Sequence, residues 1–266
     1  MYPFDYHRPT SLKEATNLFQ AADDPQWLAG GMTLLPAMKL RLTAPSNLID
    51  LAGLDDLKGL KKINGSIHVG AMTLHDVVAR SPDVRQNIPA LAALASGIGD
   101  SQVRNRGTIG GSISNSDPAA DYPAAILGLD ATIITTCRQI ASDDFFTNLF
   151  ETALESGEIV KQVSFPIPDC AGYVKFPNPA SRYAIVGVMV SKTGSAVRVA
   201  VTGAGASAFR VAEMEQALMA DFRPEVLHEI QISSDDLNED LHASAEYRAH
   251  LVNVMARRAV GLACGA

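Results

Sequence analysis

The first fifty residues alternate between the apolar spacing of helices and the short apolar runs of strands. A capping box formed by Ser11 and Glu14 precedes apolar residues three and four positions apart, which predicts an amphipathic helix. Apolar runs at 27–29 and 47–51 predict two strands on either side of a helix at 33–41. This order of elements favours a small α/β unit.

The next hundred residues combine regular elements with one long irregular segment. Strands are predicted at 66–70 and 131–135, and helices at 73–79, 89–95 and 124–129. Residues 104–123 are rich in Gly, Ser, Asn, Asp and Pro and show little periodicity, which predicts a loop of about 20 residues. Loops of this length are uncommon inside a compact domain and usually have a function.

The pattern changes near residues 166–168. Residues 183–191 and 196–202 predict an antiparallel hairpin, and helices are predicted at 208–220 and 243–262. Strands followed by helices favour a separate, smaller α+β domain. We therefore expect one domain over 1–170, with subdomains of about 1–58 and 59–170, and a second over 171–266.

Composition narrows the possible functions. The chain is 47% hydrophobic and 19% charged, with 22 basic and 29 acidic residues and a net charge of −7. No basic run is present, which argues against binding to nucleic acid. No apolar run approaches the roughly 20 residues of a membrane span, and the first residues do not resemble a signal peptide, so we expect a cytoplasmic protein.

The cysteines and histidines predict no metal site in this chain. Cys137, Cys170 and Cys264 are too few for the four thiolates of an iron–sulfur cluster, and they do not form a disulfide framework. The six histidines are scattered, and His68 and His75 are expected to be structural or exposed. Any redox chemistry must therefore come from an organic cofactor.

Two glycine-containing segments are candidates for binding phosphate. Paired glycines after a strand and before a helix allow backbone N–H groups to approach an anion. The first segment consists of Ala29, Gly30, Gly31, Met32 and Thr33. The second contains Thr108, Ile109, Gly110, Gly111 and Ser112, followed by Asn115, Asp117 and Asp121. Together they fit a diphosphate, and hence a dinucleotide, although each motif alone also fits a tight turn with nothing bound.

Three further features can be interpreted without a bound ligand. Asp121 can cap a helix, and Asp117 before Pro118 can be a turn residue. Gly203 and Gly205 nearly match a Rossmann fingerprint, but no further strand ending in an acidic residue follows about 20 residues on. We interpret this pair as a turn at the end of a strand.

The glycine segments resemble those of the flavin-binding medium subunits of molybdenum hydroxylases. Aerobic carbon monoxide dehydrogenase and multi-subunit xanthine dehydrogenase-like enzymes belong to this group. The resemblance spans the whole chain and is carried by residues 4–15, 29–39, 108–125 and 242–259. It implies an α+β fold with a vanillyl-alcohol-oxidase-like (PCMH-type) FAD-binding domain of two α/β subdomains and a smaller C-terminal α+β domain with an antiparallel sheet and helices.

The resemblance also implies residue roles. The two glycine segments would hold the FAD diphosphate, Asp121 would lie near the ribityl or diphosphate region, and Tyr183 would lie near the flavin ring. Lys175 is a weaker candidate for the same neighbourhood. Tyr183 could instead pack in the core of the C-terminal domain.

The resemblance further implies partner subunits and an electron-transfer role. A large subunit would carry the molybdenum cofactor and a small subunit two [2Fe–2S] clusters, in a dimer of heterotrimers. FAD on this chain would receive electrons from the clusters and pass them to an external acceptor. The alternatives are a stand-alone FAD oxidase or reductase of the same fold and a non-enzymatic adaptor without FAD. No residue is assigned a catalytic role.

Overall fold

The structure is a computed structural model that describes residues 1–265. The strands are β1 (Asp5–His7), β2 (Pro25–Leu28), β3 (Asn47–Asp50), β4 (Leu60–Ile63), β5 (Ser66–Gly70), β6 (Thr132–Thr135), β7 (Gln139–Ala141), β8 (Phe146–Asn148), β9 (Glu151–Thr152), β10 (Val160–Pro166), β11 (Cys170–Pro177), β12 (Ala184–Thr193), β13 (Ala196–Thr202) and β14 (Phe209–Arg210). The α-helices are α1 (Leu12–Ala21), α2 (Leu34–Lys39), α3 (His75–Arg80), α4 (Pro82–Asn87), α5 (Pro89–Ser96), α6 (Ser101–Arg104), α7 (Ile109–Asn115), α8 (Tyr122–Gly128), α9 (Ser142–Phe145), α10 (Ala212–Ala220) and α11 (Ala245–Ala263). Short 3₁₀ helices lie at Leu51–Gly53, Asp55–Leu57 and Pro224–Leu227.

The N-terminal region is a three-stranded parallel sheet in the order β1-β3-β2. The Ser11 hydroxyl caps α1 by accepting from the amide of Glu14, as the capping box predicts. Ala15 and Ile49 are fully buried in the core between α1 and the sheet. The predicted α/β unit is confirmed.

The middle region is a five-stranded antiparallel sheet in the order β4-β5-β10-β6-β7. At its centre Val163 pairs with Val69 on one side and Ile133 on the other, and all three are fully buried. Thr73 was predicted to cap α3, but the helix begins at His75 with Leu74 at the cap position. The Thr73 side chain bonds instead to the backbone of Gly59, which ties the segment before α3 to the turn before β4.

The C-terminal region is a four-stranded antiparallel sheet in the order β11-β12-β13-β14, which confirms the predicted hairpin. Helix α11 lies directly on β11, because a Cβ atom at Gly172 would come 2.1 Å from the carbonyl oxygen of Ala259. On the other face α8 packs against β12, where the Ser191 hydroxyl donates to the carbonyl of Gly128 at 2.5 Å. The C-terminal sheet is therefore covered on both faces, and a domain boundary at residue 170 stays a prediction.

The prediction of an irregular loop over 104–123 is wrong for its central part, which forms α7. The Thr108 side chain caps this helix by accepting from the amide of Gly111 at 3.1 Å. Ile109 and Ile113, four residues apart, are both fully buried. Small polar residues between them hid the apolar spacing in the sequence.

Two further features bear on function. No helix within residues 1–265 is long and apolar enough to cross a bilayer. Over the same residues, no group of three or more His, Cys, Asp and Glu side chains is placed to hold a metal ion.

Candidate functional site

A cleft of about 770 Å³ lies where the three regions meet. Its lining includes every predicted site residue except Ile109 and Lys175: Ala29, Gly30, Gly31, Met32, Thr33, Thr108, Gly110, Gly111, Ser112, Asn115, Asp117, Asp121 and Tyr183. Ile109 is fully buried in the core of the middle region, so its side chain faces away from the cleft. Lys175 bonds to other parts of the chain and is described below.

The two glycine segments touch each other through their backbones. A Cβ atom at Gly30 would lie 2.1 Å from the carbonyl oxygen of Arg106 and 2.8 Å from the Cα of Gly107. Gly31 has φ +73°, a left-handed conformation that favours glycine. Glycine at both positions lets the chain turn from β2 into α2 while it lies against the second segment.

The first segment presents backbone donors that the protein itself does not use. Among the hydrogen bonds of residues 1–265, the amides from Gly30 to Leu34 have no acceptor. The Thr33 side chain does not cap α2 either. Successive free N–H groups form a concave site that suits an anion such as a phosphate group.

The second segment contributes side chains rather than free amides. The first amides of α7 are already bonded: Ile109 donates to the carbonyl of Thr73, Gly110 to that of Ala71, and Gly111 to the Thr108 hydroxyl. The Ser112 hydroxyl and the Asn115 amide line the cleft, and neither side chain bonds to another described residue. These groups can bond to a polar ligand.

The two adjacent glycines of α7 have different surroundings. A Cβ atom at Gly110 would lie 2.6 Å from the Cβ of Ala71 and 2.8 Å from its carbonyl oxygen, so Gly110 serves close packing against the residue that follows β5. A Cβ atom at Gly111 would lie 3.0 Å from the Thr108 hydroxyl and 3.3 Å from the Cβ of Ala29. Gly111 therefore faces the gap between the two segments.

Acidic and aromatic side chains gather at one end of the cleft. Tyr183 is 43% exposed, so it does not pack in the core of the C-terminal sheet. Burial raises the pKa of Tyr183, and the nearby carboxylates of Asp117 and Asp121 raise it further. Burial also raises the pKa of Asp117, whose carboxylate accepts from the amide of Ala119 at 2.9 Å in a local turn.

Asp121 is a buried carboxylate, 5% exposed, with two side-chain donors. The Tyr173 hydroxyl donates to it at 2.5 Å and the Lys175 ammonium at 3.1 Å. Burial raises the pKa of Asp121, while Lys175 and Tyr173 act against that rise. The Asp121 side chain does not cap α8, so the helix-cap interpretation does not hold.

His75, which was not among the predicted site residues, lines the cleft and is only 4% exposed. Burial, together with the nearby Arg104, lowers the pKa of His75 to about 4, so the ring is neutral at pH 7. Its Nδ1 atom and the neighbouring Tyr122 hydroxyl are buried without a hydrogen-bond partner among residues 1–265. The burial of His75 agrees with the structural alternative of the prediction, and the ring also lies beside Gly107 at the wall of the cleft, a position that no local pattern indicated.

The other end of the cleft was also missed, because the sequence around residues 150–160 carries no glycine motif. Trp27 stacks on Phe19 with ring centroids 4.4 Å apart. Phe150, in the β8–β9 turn, and the buried Glu158 also line the cleft. The Glu158 carboxylate already accepts from Thr135, Arg138 and the amide of Glu155. This part of the cleft therefore offers mainly aromatic surface, which suits a heterocyclic base.

Comparison with known proteins agrees with this architecture. Residues 2–168 match the family model described as "FAD binding domain in molybdopterin dehydrogenase", and residues 171–263 match "CO dehydrogenase flavoprotein C-terminal domain". The chain is 34% identical to the nicotine 6-hydroxylase medium subunit of Paenarthrobacter nicotinovorans, over 96% of this chain and 95% of the relative. It is 33% identical to the carbon monoxide dehydrogenase medium chain of Hydrogenophaga pseudoflava, over 98% and 96% of the two chains.

A solved structure gives the same result for the fold. The chain superposes on reconstituted CO dehydrogenase from Oligotropha carboxidovorans with a TM-score of 0.90 and 30% identity, over 100% of this chain and 99% of the other. The fold, the glycine-lined cleft and the two family models thus define the chain as a flavoprotein. The chain belongs to the family of FAD-binding medium subunits of molybdenum hydroxylases, which confirms the resemblance and the predicted fold class.

Proposed function

We propose that this chain holds FAD in the cleft and serves as the electron-transfer flavoprotein subunit of a multi-subunit molybdenum hydroxylase. The observation that carries the proposal is the run of unused amides from Gly30 to Leu34, all of which line the cleft. The cleft's volume of about 770 Å³ lies in the range of small-molecule and cofactor sites. The residues present therefore fit the cofactor that the family implies.

Each of three parts of the cleft would bind a different portion of the cofactor. The amides of 30–34 would hold the diphosphate, with Ser112 and Asn115 bonding to it or to the sugar next to it. Tyr183 and the acidic end would take the flavin ring and the ribityl chain. The end with Trp27 and Phe150 would take the adenine, whose flat ring suits aromatic neighbours.

FAD supplies the redox chemistry, since a flavin accepts electrons singly and releases them in pairs. The chain's own residues bind and orient it. Tyr183, half-exposed at the mouth, would limit access of solvent and acceptors to the ring. Buried Asp121 would accept hydrogen bonds from the ribityl hydroxyls through the carboxylate lone pairs that Tyr173 and Lys175 do not use.

A stand-alone oxidase or reductase is not favoured. Such an enzyme would need its own substrate pocket and a catalytic base beside the flavin. The relatives are subunits of multi-subunit dehydrogenases and hydroxylases. The chain's three cysteines cannot hold two clusters, so the [2Fe–2S] centres would belong to a partner.

The assembly is therefore part of the proposal. We expect a large subunit with the molybdenum cofactor and a small subunit with two [2Fe–2S] clusters, joined with this chain in a dimer of heterotrimers in the cytoplasm. Co-expression with both partners, followed by size-exclusion chromatography, tests the assembly. Elution of this chain alone beside folded partners would contradict it.

Cofactor content tests the binding proposal. We expect about one FAD per chain, released by heat and identified by chromatography. The single tryptophan lines the cleft, so quenching of Trp27 fluorescence reports binding to the apoprotein. A colourless chain that takes up no FAD even within the complex would overturn the proposal.

A further inference from the structure

The Lys175 ammonium is fully occupied by acceptors from the protein. It donates to the carbonyl of Gly97 at 3.0 Å, to the carboxylate of Asp121 at 3.1 Å and to the carbonyl of Arg182 at 2.9 Å. An ammonium group has three N–H donors, so none is left for a ligand. Its side chain is 10% exposed, and Lys175 does not line the cleft.

The three acceptors belong to three segments that together build one end of the cleft. Ile98 and Gly99, which follow Gly97, line the cleft, as do Asp121 and the pair of Arg182 and Tyr183. Lys175 itself lies in β11, and the Arg182 segment is the connection from β11 to β12, whereas Gly97 follows α5 and Asp121 precedes α8. Removing the ammonium would leave all three acceptors without their shared donor.

The segment that carries Tyr183 also has hydrogen bonds of its own. The Asn178 side chain accepts from the amides of Ala180 and Ser181, and the Ser181 hydroxyl accepts from the amide of Tyr183. The amide of Ala184 donates to the carbonyl of Ala119. The turn is closed by the amide of Asn178, which donates to the carbonyl of Tyr183, and by the amide of Arg182, which donates to the carbonyl of Asn178.

Arg182 has φ +64°, an unfavourable conformation for a residue with a side chain. The Arg182 guanidinium also reaches the carbonyl of Gly99 at 3.3 Å. The bond from Lys175 therefore joins this strained turn to the buried Asp121 carboxylate and to the carbonyl of Gly97.

We propose that Lys175 is a positioning residue that fixes the Tyr183 turn and keeps the Asp121 carboxylate charged, without touching the cofactor. Because Asp121 is buried, it depends on the neighbouring cation to remain ionised. One ammonium group thus sets both the shape and the charge of this end of the cleft. That this end faces a flavin rests on the proposed function, whereas the tether itself does not.

Arg198 offers a matched control. It too joins the C-terminal sheet to the middle region, because it donates to the carbonyl of Leu127 at 3.1 Å and pairs with Asp143 at 2.8 Å. Its side chain is 17% exposed and lies outside the cleft lining. Loss of Arg198 should weaken packing between the regions without changing the Tyr183 turn.

The first test uses limited trypsin digestion of the apoprotein. Lys175→Met keeps the length of the side chain and removes its charge, and we expect cleavage after Arg182 to become about tenfold faster as the turn opens locally. Cleavage within α11, at Arg257, reports global unfolding in the same digest. Arg198→Met should leave the ratio of the two rates at its wild-type value.

The second test uses chain loaded with FAD. Lys175→Met should keep FAD bound, because the amides of 30–34 are untouched, while the visible flavin spectrum and the reduction potential shift. Arg198→Met should change neither. If wild-type chain fails to bind FAD, the proposed function falls, and the digestion of apoprotein still decides whether Lys175 is the tether.

Two results would overturn the proposal. One is cleavage after Arg182 that stays at the wild-type rate, or rises only in proportion to cleavage within α11. The other is that neither Lys175→Met nor a double variant folds, where the double variant adds Asp121→Asn to remove the unpaired charge. That second result would mean that Lys175 serves the fold as a whole rather than this end of the cleft.

Discussion

Replacement of Gly30 by alanine perturbs the contact between the two glycine segments. The added Cβ would start 2.1 Å from the carbonyl oxygen of Arg106 and 2.8 Å from the Cα of Gly107, both of them backbone atoms. Cβ atoms essentially never approach other heavy atoms closer than 3.0 Å, so the segments must separate by about 1 Å. The amides of 30–34 then move away from the side chains of Ser112 and Asn115 on the facing wall.

The size of the effect follows from the hydrogen bonds that such a shift breaks. A hydrogen bond to a charged group contributes about 1.5–3 kcal/mol, and an anion held between the segments would lose about two of them. At about 1.4 kcal/mol per factor of ten, FAD affinity should fall at least about 100-fold. The same clash should lower the melting temperature of the apoprotein by several degrees.

The assay is FAD titration of apoprotein followed by Trp27 fluorescence, with a thermal melt of each variant. Gly128→Ala is the matched control, because its Cβ would lie 2.5 Å from Met189 but outside the cleft lining. It should lower the melting temperature and leave FAD affinity unchanged. Wild-type FAD affinity in Gly30→Ala would refute the role assigned to the paired segments.

Three other variants test separate features. Tyr183→Ala should keep FAD bound and speed flavin reoxidation with little loss of stability, since the ring is 43% exposed; a destabilised chain with a wild-type reoxidation rate would remove Tyr183 from the site. Tyr122→Phe removes a buried hydroxyl without a partner, so apoprotein stability should stay level or rise by about 1 kcal/mol, and a clear loss in a thermal melt would contradict this. The pKa of His75 is about 4 in the folded chain against 6.5 in the unfolded chain, so about 3 kcal/mol of stability present above pH 6.5 should be lost as the pH falls towards 4. His75→Gln should flatten this part of the stability curve, and an unchanged slope in denaturant titrations would contradict the assignment.

Local patterns in the sequence were sufficient for elements whose bonds are local. The hairpin of β12 and β13 follows from two apolar, valine-rich runs on either side of a short turn at 194–195. The start of α1 follows from the capping box at Ser11. The helix α7 was missed because its glycines and serines weaken the helical pattern, although Thr108 caps it and two buried isoleucines anchor it.

Contacts between distant segments could not be predicted in this way. Nothing in the local sequence places Gly30 against Arg106, or shows that Gly110 packs on the core while Gly111 faces the gap between the segments. The end of the cleft with Phe150 and Glu158 carries no motif, and it becomes visible only when β8–β10 fold against the N-terminal region. Resemblance placed Lys175 near the cofactor, but only the three-dimensional contacts show that its donors are all in use.

The most direct test of the central claim is hydrogen–deuterium exchange of the backbone amides with and without FAD. The amides from Gly30 to Leu34 have no acceptor in the apoprotein, so they should exchange rapidly and slow markedly once the diphosphate accepts from them. The α11 amides should exchange alike in both states, because that helix lies outside the cleft. Protection confined to 30–34 and its neighbours in the cleft is the predicted result. Unchanged exchange at 30–34 in a chain that demonstrably holds FAD would contradict the account.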